Sequence, residues 1–147
     1  MIPPFDKSGN LPEGIHWSTR RDFGSRFGGT PQRRKLLTGI RALFGALQKA
    51  GCRAVYIDGS YVTAKEVPGD FDACWSIDGV DADLIDPVLL TFDNHRSAQK
   101  AKYFGDIFPA ELPEGLSGRT FLDFFQTDKV TGNRKGIVGI RLRRRKQ

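Results

Sequence analysis

The segment Thr30–Gly51, TPQRRKLLTGIRALFGALQKAG, leaves the chain one local conformation. Leu36, Leu37, Ile40, Leu43, Phe44 and Leu47 fall at offsets 0, 1, 4, 7, 8 and 11, one face of a 3.6-residue period. Thr30 is a good N-cap, Pro31 suits the first helical position, and Gly51 stands where a helix exits through a left-handed residue. The opposite face carries Arg33, Arg34, Arg41, Gln48 and Lys49 and reads as a basic, solvated surface. A helix so one-sided has to cover something apolar.

Strands supply that surface. Arg53–Asp58 (RAVYID) is short and β-prone, and Asp70–Ile77 (DFDACWSI) alternates between two faces. Asp106–Leu112 is a third run that Pro109 confines to an edge or an end, and Lys135–Arg143 reads as a terminal strand. Between them, Asp81–Leu90 and Asp93–Tyr103 read as helices, and Thr120 caps a helical turn through Phe121, Leu122, Phe124 and Phe125. Interleaved helices and strands predict an α/β (α+β) fold, a small mixed β-sheet covered by helices, in one domain over residues 1–147. Residues 1–29 are punctuated by Pro3-Pro4, Pro12, Gly14, Gly24 and Gly28-Gly29 and read as an irregular arm. Its Ile2, Phe5, Leu11, Ile15 and Trp17 are expected to pack on the body, and residues 141–147 read as a basic tail.

Composition narrows the setting. Lys and Arg number 23 against 17 Asp and Glu, a net charge of +6 that favours a polyanionic partner. No apolar run approaches the ~20 residues of a membrane span, and the N-terminus lacks the pattern of a secretory signal. Two cysteines, Cys52 and Cys74, cannot build a disulfide framework, so reduced thiols and a cytoplasmic location are expected.

Chemistry concentrates in residues 54–75. The run AVYID ends at Gly59-Ser60, and ten residues after Ser60 comes Asp70-Phe71-Asp72. On a strand, positions i and i+2 share a face, so Asp70 and Asp72 would project together while Phe71 and Ala73 enter the core. Two adjacent carboxylates repel unless one is protonated or both share a cation. A hard divalent ion such as Mg²⁺, bound by carboxylates and substrate phosphates, resolves the conflict. The glycine turn beside them offers backbone amides and the Ser60 hydroxyl to phosphate oxygens. Together these describe a nucleoside-triphosphate site. Thr63 and Lys65, in the intervening loop, are candidates for touching the triphosphate. Tyr61 and Trp75 are candidates for stacking on a base, with core packing as the competing role, and Phe121, Phe124 and Phe125 read as core. His16 and His95 lack ligand spacing and read as structural or surface residues.

Gly59-Ser60, a variable loop and Asp70-Phe71-Asp72 resemble the signature of the DNA polymerase β-like nucleotidyltransferase superfamily. FDKSGNLPEGIH, AGCRAVYIDGSYVTAK and FFQTD…KGIV are similar to a small bacterial nucleotidyltransferase-like family linked to mobile elements and toxin–antitoxin loci. The resemblance implies a minimal nucleotidyltransferase fold and a third carboxylate on a neighbouring strand. Asp106 fits that position best and Asp123 is the runner-up. It further implies two Mg²⁺ ions, with Mn²⁺ as substitute, on Asp70, Asp72 and Asp106. The implied reaction is transfer of a nucleoside monophosphate from an NTP to an RNA, such as a tRNA end, or to a protein hydroxyl. The alternative is a catalytically inactive nucleotide-binding or antitoxin-like module with a partner protein. A homodimer is compatible with either. Asp58 departs from the superfamily pattern, which has an apolar residue before the glycine.

Overall fold

A computed structural model describes residues 2–142. Among them the strands are β1 (Gly14–Ser18), β2 (Ala54–Asp58), β3 (Phe71–Trp75), β4 (Gly105–Pro109) and β5 (Gly136–Arg141). They form one mixed sheet in the order β1-β5-β2-β3-β4. β1 runs parallel to β5 and β3 parallel to β4, whereas β2 is antiparallel to both β5 and β3. The helices are α1 (Arg20–Phe27), α2 (Pro31–Lys49), α3 (Asp93–Tyr103) and α4 (Phe121–Phe124). The expected mixed sheet with covering helices is the fold observed.

α2 forms as its pattern requires. Thr30 Oγ1 accepts from the Arg33 amide at 3.2 Å, and Gly51 leaves the helix at φ 87°. Its Leu36, Ile40, Leu43 and Leu47 are fully buried with Val55, Ile57, Phe71, Ala73, Ile107, Val138 and Ile140 of the sheet. Each such side chain is worth roughly 1.5–3 kcal/mol on burial. α3 lies across α2 where Gly39 meets the Tyr103 carbonyl, a contact that leaves no room for a Cβ. The sheet's other face carries a second, smaller cluster: Cys74, Ala110 and Phe125, with Tyr56, Phe108, Phe121, Leu122 and Phe124 packed against them. Strand alternation thus splits the molecule into a core face under α2 and a second face under α4.

Several expectations need correction. Residues 14–18 and 20–27 are a strand and a helix, not an irregular arm. β1 gains its regularity from parallel pairing with β5, Gly14 opposite Gly136 and Ser18 opposite Ile140, which no local pattern announces. The arm does pack as expected: Leu11 is buried, Ile2 and Phe5 pack half-buried against the main core, Ile15 is half-buried, and Trp17 meets Tyr56 edge-on. Asp81–Leu90 is not a helix; Asp86 caps a 3-10 turn at Pro87–Leu90. Arg33, assigned to the solvated face of α2, is buried. Of the segment 141–147 read as a basic tail, Arg141 closes β5 and Leu142 is buried in the core, and residues 143–147 lie outside the described residues. No helix among the described residues is long and apolar enough to cross a membrane.

Candidate active site

β2, β3 and β4 bring three aspartates into one row. Asp58 is the register partner of Asp72, and Asp72 of Asp106. Register partners on adjacent strands share a face, and the opposite residues Ile57, Phe71, Ala73 and Ile107 lie in the main core. The carboxylates therefore project from the face away from α2. Phe71 and Ala73 point into the core as expected. Asp70 stands one residue ahead of β3, and its charge bears on Asp72 after that of the cross-strand Asp58 and before that of Asp106.

Like charges opposite one another destabilise a sheet, and this row shows the consequence. Burial pushes Asp72 up to about 7, reinforced by the charges of Asp58, Asp70 and Asp106. Burial likewise raises Asp58 to about 6, with Lys135 opposing. Asp70 is raised, by burial first and then by Asp106. Lys135 Nζ is 3.5 Å from Asp58 Oδ1, too long for a good hydrogen bond, and that buried oxygen accepts none among the described residues. Asp106 is better served: Arg96 Nε donates at 2.7 Å and Lys100 Nζ lies at 3.6 Å. Arg96 reaches it from a left-handed first turn of α3, where Asn94, His95 and Arg96 have φ of 52°, 54° and 61°. Such a conformation costs roughly 1–2 kcal/mol per residue.

Gly59 closes the row from the loop side. Its φ of 78° and ψ of −168° belong to a region that side chains avoid, and an added Cβ would lie 2.5 Å from Asp72 Oδ2. The Gly-Ser turn is thus shaped around the Asp72 carboxylate. After it, Ser60–Val62 forms a 3-10 turn in which Thr63 Oγ1 donates to the Ser60 carbonyl at 2.7 Å. Arg33 fixes this loop from beneath. Its guanidinium donates to the carbonyls of Tyr61 (2.6 Å), Thr63 (2.9 Å), Lys65 (2.6 Å) and Phe27 (3.3 Å).

A cavity of about 680 Å³ opens over the row. Gly59, Ser60, Thr63, Asp72 and Asp106 of the expected site line it, joined by Asp58, Arg96, Lys129 and Lys135. Asp70 and Lys65 are not on its wall; Lys65 lines a separate groove beside Phe5 and Arg26, and its charge bears on Asp70. Asp123 is turned to Arg134 (2.9 Å) and Arg119 (3.6 Å), off the cavity wall. Tyr61 is buried and donates its hydroxyl to the Arg33 carbonyl, which removes it as a base-stacking group. Trp75 is likewise buried in the core. Phe121 and Phe124, expected in the core, are half-buried and form part of the cavity wall with Phe108. His16 Nε2 meets the Pro12 carbonyl at 2.6 Å, and His95 is exposed.

The donor set suits a hard divalent cation, because carboxylate oxygens dominate and those of Asp72 have no hydrogen-bond or ion-pair partner among the described residues. A closed cage is not formed: among the described residues no three His, Cys, Asp or Glu side chains are gathered closely enough to hold a metal ion. Arg96 and Lys100 hold Asp106 instead. Asp58 was legible as a discordant residue before the glycine; Phe124 and Lys135 stand in FFQTD…KGIV without a role that the motif assigns, and Arg33, Arg96, Phe108 and Phe121 carry no motif.

No curated protein and no solved structure matches this chain. A family model does match, over residues 3–141, and the chain accordingly belongs to DUF6932, a family of unknown function.

Proposed function

We propose that this chain is a metal-dependent nucleotidyltransferase that moves a nucleoside monophosphate from an NTP to a hydroxyl of an RNA or a protein. The observation that carries this reading is the aspartate row: Asp58, Asp72 and Asp106 side by side on three strands, with Asp72 packed against the Gly59 turn. Asp72, which has no ion-pair partner among the described residues while Asp58 and Asp106 face Lys135, Arg96 and Lys100, favours a divalent cation. Asp72 would hold it, with Asp58, Asp70 and Asp106 as the carboxylates whose charges bear on Asp72 and would complete the set. When bound, the ions would withdraw charge from the α-phosphate and stabilise entering and leaving oxygens.

The remaining work falls to the chain. The Gly59-Ser60 turn receives the β,γ-phosphates through backbone amides and the Ser60 hydroxyl. Lys129 and Lys135, on the cavity wall, offset the charge of the departing group. The acceptor oxygen bonds to the α-phosphorus, the α–β anhydride bond breaks, pyrophosphate leaves, and Asp106 accepts the hydroxyl proton.

Incubation with labelled NTPs, Mg²⁺, total RNA and cell lysate tests the reading. Label is expected to move to an acceptor, and Asp72→Asn is expected to abolish the transfer, a loss of at least a hundredfold. Undiminished transfer by Asp72→Asn would refute it. A second reading, an inactive nucleotide-binding module partnered by another protein such as a toxin, is favoured by the Arg96–Asp106 pair, which occupies the third carboxylate. It predicts NTP binding without transfer and a stoichiometric complex with the partner.

A further inference from the structure

We propose that Phe121 and Phe124, backed by Phe108, form the subsite for the nucleobase of the bound nucleotide, a proposal that rests on the nucleotidyltransferase reading. Sheet register leads to it. Two residues along from the aspartate row, the same strands place Tyr56, Cys74 and Phe108 in a row on the same face. One pleat repeat separates the rows by roughly 7 Å. That interval has to be spanned by the ribose if the triphosphate sits over Asp72.

At the end of this second row the rings are already arranged for planar stacking. Phe108 and Phe121 lie 4.3 Å apart, centroid to centroid, at an interplanar angle of 8°. Phe92, off the cavity wall, is also near-parallel to Phe108, at 5.9 Å and 3°. Offset-parallel packing is one of the arrangements aromatic pairs prefer, and here it makes Phe108, with the Arg96 guanidinium 5.3 Å from its centroid, the backing for Phe121, which lines the cavity. α4 has only four residues, and two of them, Phe121 and Phe124, line the cavity half-buried. The main core lies on the opposite side of the sheet, so the hydrophobic need of α2 does not explain these rings. Aspartates and phenylalanines thus line one cavity of about 680 Å³, within the size range of small-ligand sites. A ligand with a polyanionic end and a flat ring a sugar's length away matches both walls. Stacking on phenylalanine tolerates any base, so this shelf sets affinity for a nucleotide over bare triphosphate rather than choice among bases.

Equilibrium binding to the full chain in Mg²⁺ tests this, with ATP, GTP, CTP, UTP and inorganic tripolyphosphate as probes. At least one NTP should bind roughly tenfold or more tightly than tripolyphosphate. Phe121→Leu keeps an apolar side chain on α4 but removes the flat face. It should erase that advantage while leaving tripolyphosphate affinity unchanged, and Asp72→Asn should weaken both probes. If Phe121→Leu fails to fold, as read by its melting transition, Phe124→Leu carries the same expectation. Equal affinity of wild type for NTPs and tripolyphosphate, or an NTP advantage that survives the leucine variants, overturns the subsite and leaves the metal–triphosphate reading standing. Failure of wild type to bind either probe overturns that reading and the subsite with it.

Discussion

Burial first, and the charges of Asp58, Asp70 and Asp106 after it, raise the Asp72 carboxylate toward neutral pH. In metal-free protein its pKa of about 7, and the value of about 6 at Asp58, stand above the ~3.9 of an unfolded aspartate. The folded state therefore binds more protons than the unfolded state between about pH 4 and pH 7. Stability is fully present below the unfolded value and is lost as pH rises through the folded ones. In EDTA the melting temperature should consequently fall between pH 5 and pH 8. Asp72→Asn removes the charge at nearly constant shape and should flatten that slope, stabilising the protein at pH 8 by roughly 1–3 kcal/mol. Mg²⁺ at pH 8 should raise the melting temperature of wild type and leave the variant unmoved. An unchanged slope in Asp72→Asn would mean that the strain of the row resides elsewhere.

At the scale of elements, the Ser60–Lys65 loop owes its shape to a residue of another element. Arg33 of α2 satisfies carbonyls at Tyr61, Thr63 and Lys65, and its guanidinium lies 5.1 Å from the Tyr61 ring centroid. Arg33→Met would leave these buried acceptors unpaired, and urea denaturation should show a loss of about 2–4 kcal/mol. Arg33→Lys should recover little, because an ammonium cannot fork between Nη1 and Nη2 as the guanidinium does. Full stability of Arg33→Lys would show that charge rather than geometry holds the loop. Periodicity placed Arg33 on the polar face of α2, and it could not show that the loop folds back over that face. The same limit explains the rest. α2 was legible because its caps and its period lie within one segment, β2 because it is a β-prone run ended by Gly59, and β3 because it alternates. β1 was not, because Gly14 and Gly136 pair across most of the chain. Asp72 could be read from its motif. Asp106 beside it could be read from the resemblance, and the register of β3 and β4 pairs the two. Asp58 and Lys135 could not be read as its company, since Asp58 meets it only through the register of β2 and β3, and Lys135 reaches the row only at Asp58.

Across the whole molecule, the sheet separates two populations of positive charge. Arg34, Lys35, Arg41 and Lys49 are exposed on the outer side of α2, which covers one face. The cavity opens on the other face, where Lys129 is exposed and in no ion pair among the described residues. The net charge of +6 by itself does not say which population meets a nucleic acid. Geometry does, if an RNA is the acceptor: its reacting hydroxyl has to enter the cavity, and its neighbouring phosphates then pass Lys129 rather than α2. Binding of a labelled single strand, measured over a range of salt, separates the two surfaces. Lys129→Ala should weaken binding and reduce the log–log salt slope by about 0.7, the share of one phosphate contact on a single strand. Arg34→Ala with Arg41→Ala should leave affinity and slope unchanged. A slope carried by α2 instead would put the RNA on the wrong side of the sheet for transfer, and an affinity indifferent to both changes would turn the search toward a protein acceptor.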